Sequence, residues 1–203
     1  MEKINLQLNK KELRRTLLQK RQSMTSLEWR EKSDRLTTNI QNSVLFNQAK
    51  TILAYFSFRQ EPDISFLYTN SQKRWGFPRC VSNSLVWHFC QPNEVINLGA
   101  YGIREPHPES PRIDIEEVDL ILVPCVGCDA QGYRLGYGGG YYDRLFSSPA
   151  WNAKATMGVV FDFAYLPQLP VASWDQPLKA VVTENGMKNF RCFFPDEAKI
   201  RIL

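Results

Sequence analysis

The stretch Val118–Val126 (VDLILVPCV) is the longest nearly continuous apolar run in the chain, and it lies just before the densest cluster of glycines. A run of this length without apolar/polar alternation predicts a strand buried on both faces. Such a strand belongs in the middle of a mainly parallel sheet covered by helices on each side. It is too short to cross a bilayer, and Asp119 interrupts it. Of the 11 glycines in 203 residues, six lie between Gly127 and Gly140, where an even spread would place fewer than one. A strand, a glycine-rich turn and then a helix is the order that builds a ligand site at the carboxyl end of a strand in an open α/β sheet.

The rest of the chain supports this architecture. Residues 9–24 read as a helix with Leu13, Leu17 and Leu18 on one side and Lys10, Lys11, Arg14, Arg15, Lys20 and Arg21 around the remainder. Thr25, followed three residues later by Glu28, makes a capping box, so a second helix runs from about Ser26 to Asn42 with Leu27, Leu36 and Ile40 facing inward. Thr51–Phe58 is rich in β-branched and aromatic residues and predicts a strand. Pro62-Asp63 starts a short helix over Asp63–Asn70, and Trp75–Val81 and Leu85–Cys90 form two strands about a turn at Ser82–Ser84. Gln91–Arg112, with four prolines, reads as a long ordered loop. A helix over about Gly140–Ser147 and strands at Ala155–Phe161 and Leu178–Glu184 complete the pattern, with helix or loop over Ala164–Asp175. The expectation is a single α/β domain over residues 1–203, three-layered, with a mostly parallel sheet flanked by helices around a single core.

Charge divides the chain unevenly. Residues 1–35 hold ten Lys/Arg against five Asp/Glu, whereas the whole chain nets only +4, so the rest nets −1. A nucleic-acid binder would spread its basic surplus over the domain, so nucleic acid is not an expected partner. The first twenty residues lack the apolar core of a signal peptide, and five scattered cysteines do not make a secreted disulfide framework. The expectation is therefore a cytoplasmic or organelle-matrix protein with reduced thiols and no membrane partner. A monomer is the expected state, although neither composition nor pattern fixes it. Cys125 and Cys128 form a CxxC with no second pair, and only His88 and His107 are available to help. They read as small buried apolar residues in place of a zinc or redox site.

The decisive segment is Asp129–Arg144 (DAQGYRLGYGGGYYDR). Its glycines let the backbone come close to a ligand, and amides near a helix start favour phosphate oxygens. It is not a Walker A loop, because no Gly-Lys-Ser/Thr follows, and it is a poor dinucleotide fingerprint. A plain turn has no need of its company: Arg134 as a charged donor, Tyr141 and Tyr142 as aromatic surfaces, and Asp143 as a hard oxygen ligand for Mg²⁺.

The string Gly132–Arg144 closely resembles the signature of 5-formyltetrahydrofolate cyclo-ligases (methenyltetrahydrofolate synthetases), roughly G-x-R-L-G-x-G-x-G-Y/F-Y-D. The resemblance extends to Lys10-x-x-x-Arg14, to Ser57–Glu61, to Trp75–Arg79, to Gly102–Pro106, and to Trp174–Leu178 with Val181–Glu184. It implies an enzyme that uses ATP as co-substrate and Mg²⁺ to convert 5-formyltetrahydrofolate to 5,10-methenyltetrahydrofolate, ADP and phosphate. It implies ATP contacts from Lys10, Lys11, Glu12, Leu13 and Arg14 and from Arg134, Leu135, Gly136, Tyr137, Gly138, Gly139, Gly140, Tyr141 and Tyr142. The reduced folate would meet Phe56, Glu61 and Tyr101 together with Tyr137–Tyr141, and Asp143 would hold the metal. Lys179 stands where some members carry a second metal-binding aspartate, leaving Asp175 and Glu184 as further acidic candidates, and Cys128 stands where many have phenylalanine.

The chemistry so implied is activation of a formyl oxygen by phosphorylation followed by attack of N10. Such a transfer needs positioning and charge neutralisation more than a side-chain nucleophile, and the chain offers no Ser-His-Asp or Cys-His set. Arg134, whose guanidinium can hold two phosphate oxygens, and Tyr142 are the catalytic candidates. The rival readings are another ATP-dependent small-molecule kinase or ligase on the same fold, a silent folate- or nucleotide-binding relative, and a nucleic-acid binder using the basic helix.

Overall fold

The apolar run after Val118 becomes a strand with a parallel neighbour on each side. In a computed structural model, which describes residues 9–90, 97–99 and 101–190, the chain begins with α1 (Lys10–Gln22), α2 (Ser26–Gln41) and α3 (Val44–Gln48). Next come β1 (Thr51–Leu53), a 3₁₀ turn over Ser65–Thr69, β2 (Arg74–Val81), β3 (Ser84–Phe89), β4 (Asn97–Leu98), β5 (Arg104–Glu105) and β6 (Leu120–Pro124). The second half holds β7 (Gly127–Asp129), β8 (Arg134–Leu135), α4 (Tyr141–Phe146), α5 (Pro149–Ala153), β9 (Ala155–Val159), β10 (Tyr165–Leu166), β11 (Ala180–Thr183) and β12 (Gly186–Asn189). Seven strands form one sheet in the order β12-β11-β9-β6-β1-β2-β3, parallel throughout except where β3 and β12 close the two edges antiparallel.

Strand geometry explains why β6 had to be apolar at every position. Successive side chains point to opposite faces, and both faces are covered. Leu120 and Leu122, with Ile52, Met157, Val159, Ala180 and Val182, pack under α2, α3 and the 3₁₀ turn. Ile121 and Val123, with Leu53 and Val181, pack under α1 and α4 on the other face. The core is thus two layers of apolar side chains, one on each face of the sheet.

The helices start where their caps dictate. The Asn9 side chain accepts from the Lys11 and Glu12 amides, each at 3.0 Å, and Thr25 Oγ1 accepts from the Glu28 amide at 3.1 Å. Leu27 departs from its expected inward position and is 69% exposed, while Leu36 and Ile40 are fully buried. Nine residues separate Leu27 from Leu36, about two and a half helical turns, so the two lie on opposite sides of α2.

Three further expectations are corrected. The strand expected over Thr51–Phe58 ends at Leu53: Tyr55 and Phe56 enter the core on an extended segment that leaves the ladder, and their aromatic character reports burial. The short helix expected at Asp63–Asn70 is the 3₁₀ turn Ser65–Thr69. The loop expected over Gln91–Arg112 carries β4 paired to β5, with residues 91–96 and 100 outside the described set. Unforeseen, β7 pairs antiparallel with β8 and parallel with β10, so the glycine-rich segment begins as a hairpin.

That hairpin is closed by Asp129, which is fully buried and accepts from the amides of Gln131, Tyr133 and Leu169, each at 2.9 Å. Asp129→Ala removes the acceptor for three amides, of which that of Leu169 is buried and those of Gln131 and Tyr133 are nearer water, with an expected loss of about 2 kcal/mol or more in unfolding free energy. A urea titration of wild type and variant measures it; an unchanged midpoint would refute the role.

Candidate functional site

The segment Gly136–Gly140 leaves β8 and turns into α4 beyond the carboxyl end of β6, where the sequence places a ligand loop. Two of its glycines are required by backbone geometry. Gly138 has φ +104°, and Gly140, the residue before α4, has φ +67°. The Arg14 guanidinium lies 3.6 Å from where a Cβ on Gly138 would sit, an ordinary van der Waals distance, so it is the positive φ and not the space beside Arg14 that asks for glycine here. Arg14 Nε donates to the Gly136 carbonyl at 2.6 Å. From the other side, Arg144 donates to the carbonyls of Gly139 (2.8 Å) and Asn83 (2.6 Å), tying the loop to the β2–β3 turn.

α1 runs along this loop with one stripe of side chains. Lys10, Arg14, Leu17 and Arg21 follow the i, i+4, i+7, i+11 spacing that keeps residues on one helix face. Lys10 pairs with Asp175, Leu17 is buried in the core, and Arg21 donates to the Tyr137 hydroxyl. Lys11 and Glu12 are exposed with their amides satisfied by Asn9, and Leu13 packs on the core. Of the five helix residues expected at the nucleotide, Arg14 reaches the glycine loop and Lys10, on the same face, reaches Asp175.

Glu61 is only 3% exposed. Its backbone carbonyl accepts from Trp29 Nε1 (2.9 Å) and Ser57 Oγ (2.8 Å), and its carboxylate accepts from the Phe58 amide at 3.1 Å. Burial pushes its pKa up to about 7, while the charge of Arg21 and hydrogen bonds from the Phe58 amide and the Tyr137 hydroxyl act against that rise. Burial and the nearby Glu61 in turn push Tyr137 up to about 12, so its hydroxyl keeps its proton. The glycine loop and the buried acid thus meet through Tyr137. Beside them, a cavity of about 350 Å³ is lined by Trp29, Phe56, Ser57, Gln60, Tyr68 and Arg104 among others. Phe56 stacks on Phe77 at 4.2 Å between ring centres, and the Arg104 guanidinium lies 5.5 Å from the Phe56 ring.

Tyr101 stands apart from this cavity. It is exposed, and its hydroxyl meets that of Tyr141 at 3.1 Å near the β2–β3 turn, where Tyr141 also donates to the Ser82 carbonyl. Leu135 is buried, and its carbonyl accepts from the Val126 amide at 2.8 Å. Arg134 is nearly buried, with one terminal nitrogen on Asp143 Oδ1 (2.7 Å) and the other on the Gln176 carbonyl (3.1 Å). Tyr142 packs on Phe146, with the Arg134 guanidinium 5.6 Å from its ring, and burial holds its phenol far above the ordinary range.

The acidic groups differ in what they have left to offer a cation. Asp175 is engaged by Lys10 and the Ala172 amide, and Glu184 by Lys32 (2.8 Å) and the Asp162 amide (2.7 Å). No cluster of three or more His, Cys, Asp or Glu side chains occurs among the described residues. Asp143, with a side chain 29% exposed and Oδ1 on Arg134, fits a magnesium ion carried chiefly by phosphates, which asks the protein for one or two carboxylates. Cys125 and Cys128 are buried with their sulfurs 3.7 Å apart, and Cys125 donates to the Val123 carbonyl, in keeping with a packing role. Among the described residues, no helix is long and apolar enough to cross a membrane.

Sequence reasoning missed Arg21, Trp29, Gln60, Arg104 and Arg144. Arg21 was within reach, because it continues the Lys10–Arg14 stripe. The other four depend on long-range packing, which no local pattern reports.

Comparison with known proteins gives the site its context. The model of the 5-formyltetrahydrofolate cyclo-ligase family matches residues 7–184. The 5-formyltetrahydrofolate cyclo-ligase of Haemophilus influenzae is 28% identical over 181 residues, covering 83% of this chain and 94% of its own length. That of Mycolicibacterium smegmatis is 31% identical over 185 residues, covering 86% and 93%. The solved 5,10-methenyltetrahydrofolate synthetase of Aquifex aeolicus superposes with a TM-score of 0.80 at 32% identity, covering 91% of this chain and 94% of that one. With a matching model that spans the glycine loop, the basic helix stripe and the buried Glu61, the chain belongs to the 5-formyltetrahydrofolate cyclo-ligase family.

Proposed function

We propose that this protein, acting as a single catalytic domain, converts 5-formyltetrahydrofolate to 5,10-methenyltetrahydrofolate while ATP becomes ADP and phosphate. The observation that carries the reading is that one loop serves two neighbours. The glycines of Gly136–Gly140 lie against Arg14, and Tyr137 of the same loop meets the buried Glu61. ATP phosphates over the glycines and a pterin against Glu61 would then be neighbours, as transfer from one to the other requires.

In this mechanism the formyl oxygen attacks the γ-phosphorus and ADP leaves, which gives an iminium phosphate at N5. N10 then attacks the formyl carbon, the C–O bond breaks with phosphate as leaving group, N10 gives up its proton, and the ring closes. Lys10 and Arg14 bind phosphate oxygens, and Arg134 neutralises charge on the transferring group. Two of its five N–H groups are taken by Asp143 and the Gln176 carbonyl. Mg²⁺ bound with ATP supplies charge neutralisation on the phosphates, and Asp143 is the carboxylate that would hold it. Tyr142, kept neutral by burial, offers a hydroxyl donor beside Arg134. Glu61, once ionised, accepts two hydrogen bonds from the amino-pyrimidine edge of the pterin, and Phe56 supplies apolar surface.

Incubation of the purified protein with 5-formyltetrahydrofolate, Mg²⁺ and ATP tests this directly through the near-ultraviolet absorbance of the methenyl product. An ATP-dependent rise is expected, and a flat trace would overturn the reading. Within that assay, Glu61→Gln is expected to raise the folate KM about tenfold or more by removing a charge-assisted pairing. The Lys10→Ala/Arg14→Ala double variant should raise the ATP KM with the folate KM little changed, and Asp143→Ala should raise the Mg²⁺ concentration needed for half-maximal rate.

Glu61 also makes stability depend on pH. Its folded pKa of about 7 lies above the ordinary 4.5, so between those values the folded chain holds a proton that the unfolded chain has released. Stability from this group is full below about pH 4.5 and falls as pH rises to 7, by about 3 kcal/mol in all. Glu61→Gln removes that fall. Chemical denaturation at pH 5 and pH 8 should show a smaller difference for the variant than for wild type, and equal differences would show that Glu61 does not titrate as its burial requires.

A further inference from the structure

Two strained or costly features meet at one arginine that the mechanism above does not use. The turn that delivers Glu61 passes through two consecutive non-glycine residues in the left-handed region, Arg59 (φ 49°) and Gln60 (φ 56°). Such a pair costs of order 1–3 kcal/mol per residue and persists only where its surroundings hold it. Arg21 is 3% exposed, and its Nε donates to the Arg59 carbonyl at 3.1 Å. A terminal nitrogen of the same guanidinium donates to the Tyr137 hydroxyl, and its carbon lies 5.6 Å from the Tyr137 ring centre. The other terminal nitrogen is buried with no hydrogen-bond partner in the protein. A buried guanidinium left short of one partner is a poor structural brace, since the same span could be packed with apolar groups.

We infer that Arg21 is a positioning residue for folate binding: it fixes the Arg59–Gln60 turn to the Tyr137 hydroxyl and so presents the Glu61 carboxylate, charged, to the pterin edge. The inference rests on the folate reading of the site and adds a residue to it.

Electrostatics supports the geometry. The groups acting on Glu61 or acted on by it are Arg21 from α1, the Phe58 amide from its own turn, Tyr137 from the glycine loop, Tyr55 after β1, Tyr68 of the 3₁₀ turn and Tyr142 of α4. The tyrosines are held neutral by burial, so Arg21 is the cation in this set that favours ionised Glu61. Position and charge are separable in this account. A lysine at residue 21 keeps the charge but loses the planar fork that reaches Arg59 and Tyr137 together. A glutamine loses the charge as well.

The test is calorimetric titration of 5-formyltetrahydrofolate, and separately of MgATP, into full-length wild type, Arg21→Gln, Arg21→Lys and Tyr137→Phe between pH 6 and 8.5. Arg21→Gln is expected to weaken folate binding about tenfold at pH 7 and to move the pH at which affinity is half lost upward. ATP affinity should stay within about twofold. Arg21→Lys should restore the pH midpoint with only part of the affinity. Tyr137→Phe should share the affinity loss, and the Arg21→Gln/Tyr137→Phe double variant should lose less than the sum of the two. Should Arg21→Gln fail to fold, Arg21→Lys carries the same split between folate and ATP. Unchanged folate affinity and pH midpoint would overturn the assignment. So would equal loss of ATP and folate affinity, which marks a residue that merely seats α1. Wild type that binds no folate would instead overturn the functional reading itself, which separates the two failures.

Discussion

A carboxylate held out of water with one cation beside it is the constraint around which the site is arranged. Isolated burial of Glu61 would simply neutralise it, and the direction of its shift shows burial to be the largest influence. Three other influences keep ionisation within reach of neutral pH: Arg21, the Phe58 amide and the Tyr137 hydroxyl. Each comes from a different part of the chain, α1, the turn after β1 and the glycine loop. The site therefore forms only when all three have docked. A group balanced in this way is useful for ligand recognition, because the hydrogen-bond donors of a bound ring complete the charge compensation that the protein leaves partial.

The scaffold makes that docking possible. β6 lies between β1 and β9 with both faces covered, so its carboxyl end has a fixed position relative to the segments that leave β1 and β8. The Glu61 turn follows β1 and the glycine loop follows β8, which brings two stretches over seventy residues apart in sequence to one place. Asp129 adds a local brace by closing the β7–β8 hairpin from inside, so the loop starts from a rigid strand.

How far the sequence could reveal this follows from what each signal measures. Apolar continuity reports burial on two faces, and it located β6. Glycine density reports a backbone that other residues resist, and Gly138 and Gly140 do adopt positive φ. The Lys10–Arg14 spacing reports a shared helix face, from which Arg14 reaches the glycine loop and Lys10 reaches Asp175. What periodicity does not carry is the identity of the surface a face meets. Leu27 is apolar, yet the stripe through Leu36 and Ile40 puts it on the far side of α2, where it is exposed. Arg21 was visible as one more basic residue, yet its partners, Arg59 and Tyr137, lie 38 and 116 positions away. The two-residue β8 and the left-handed Arg59–Gln60 pair are too short to leave a statistical trace.

The basic excess of the first 35 residues also acquires a division of labour. Lys10 and Arg14 use replaceable partners: an ion pair with Asp175 in which the lysine side chain is 31% exposed, and a loop carbonyl. A partly exposed pair of this kind contributes roughly 1 kcal/mol or less, so on the proposed reading an ATP phosphate would compete for the lysine at little cost. Arg21, about two helical turns further along the same stripe and almost fully buried, is bound to groups that no ligand displaces without breaking the Glu61 turn. The same helix thus carries exchangeable cations at its start and a fixed one near its end. That gradient follows from burial: the cation proposed to engage phosphate is left near water, and the cation proposed to hold the Glu61 turn is enclosed.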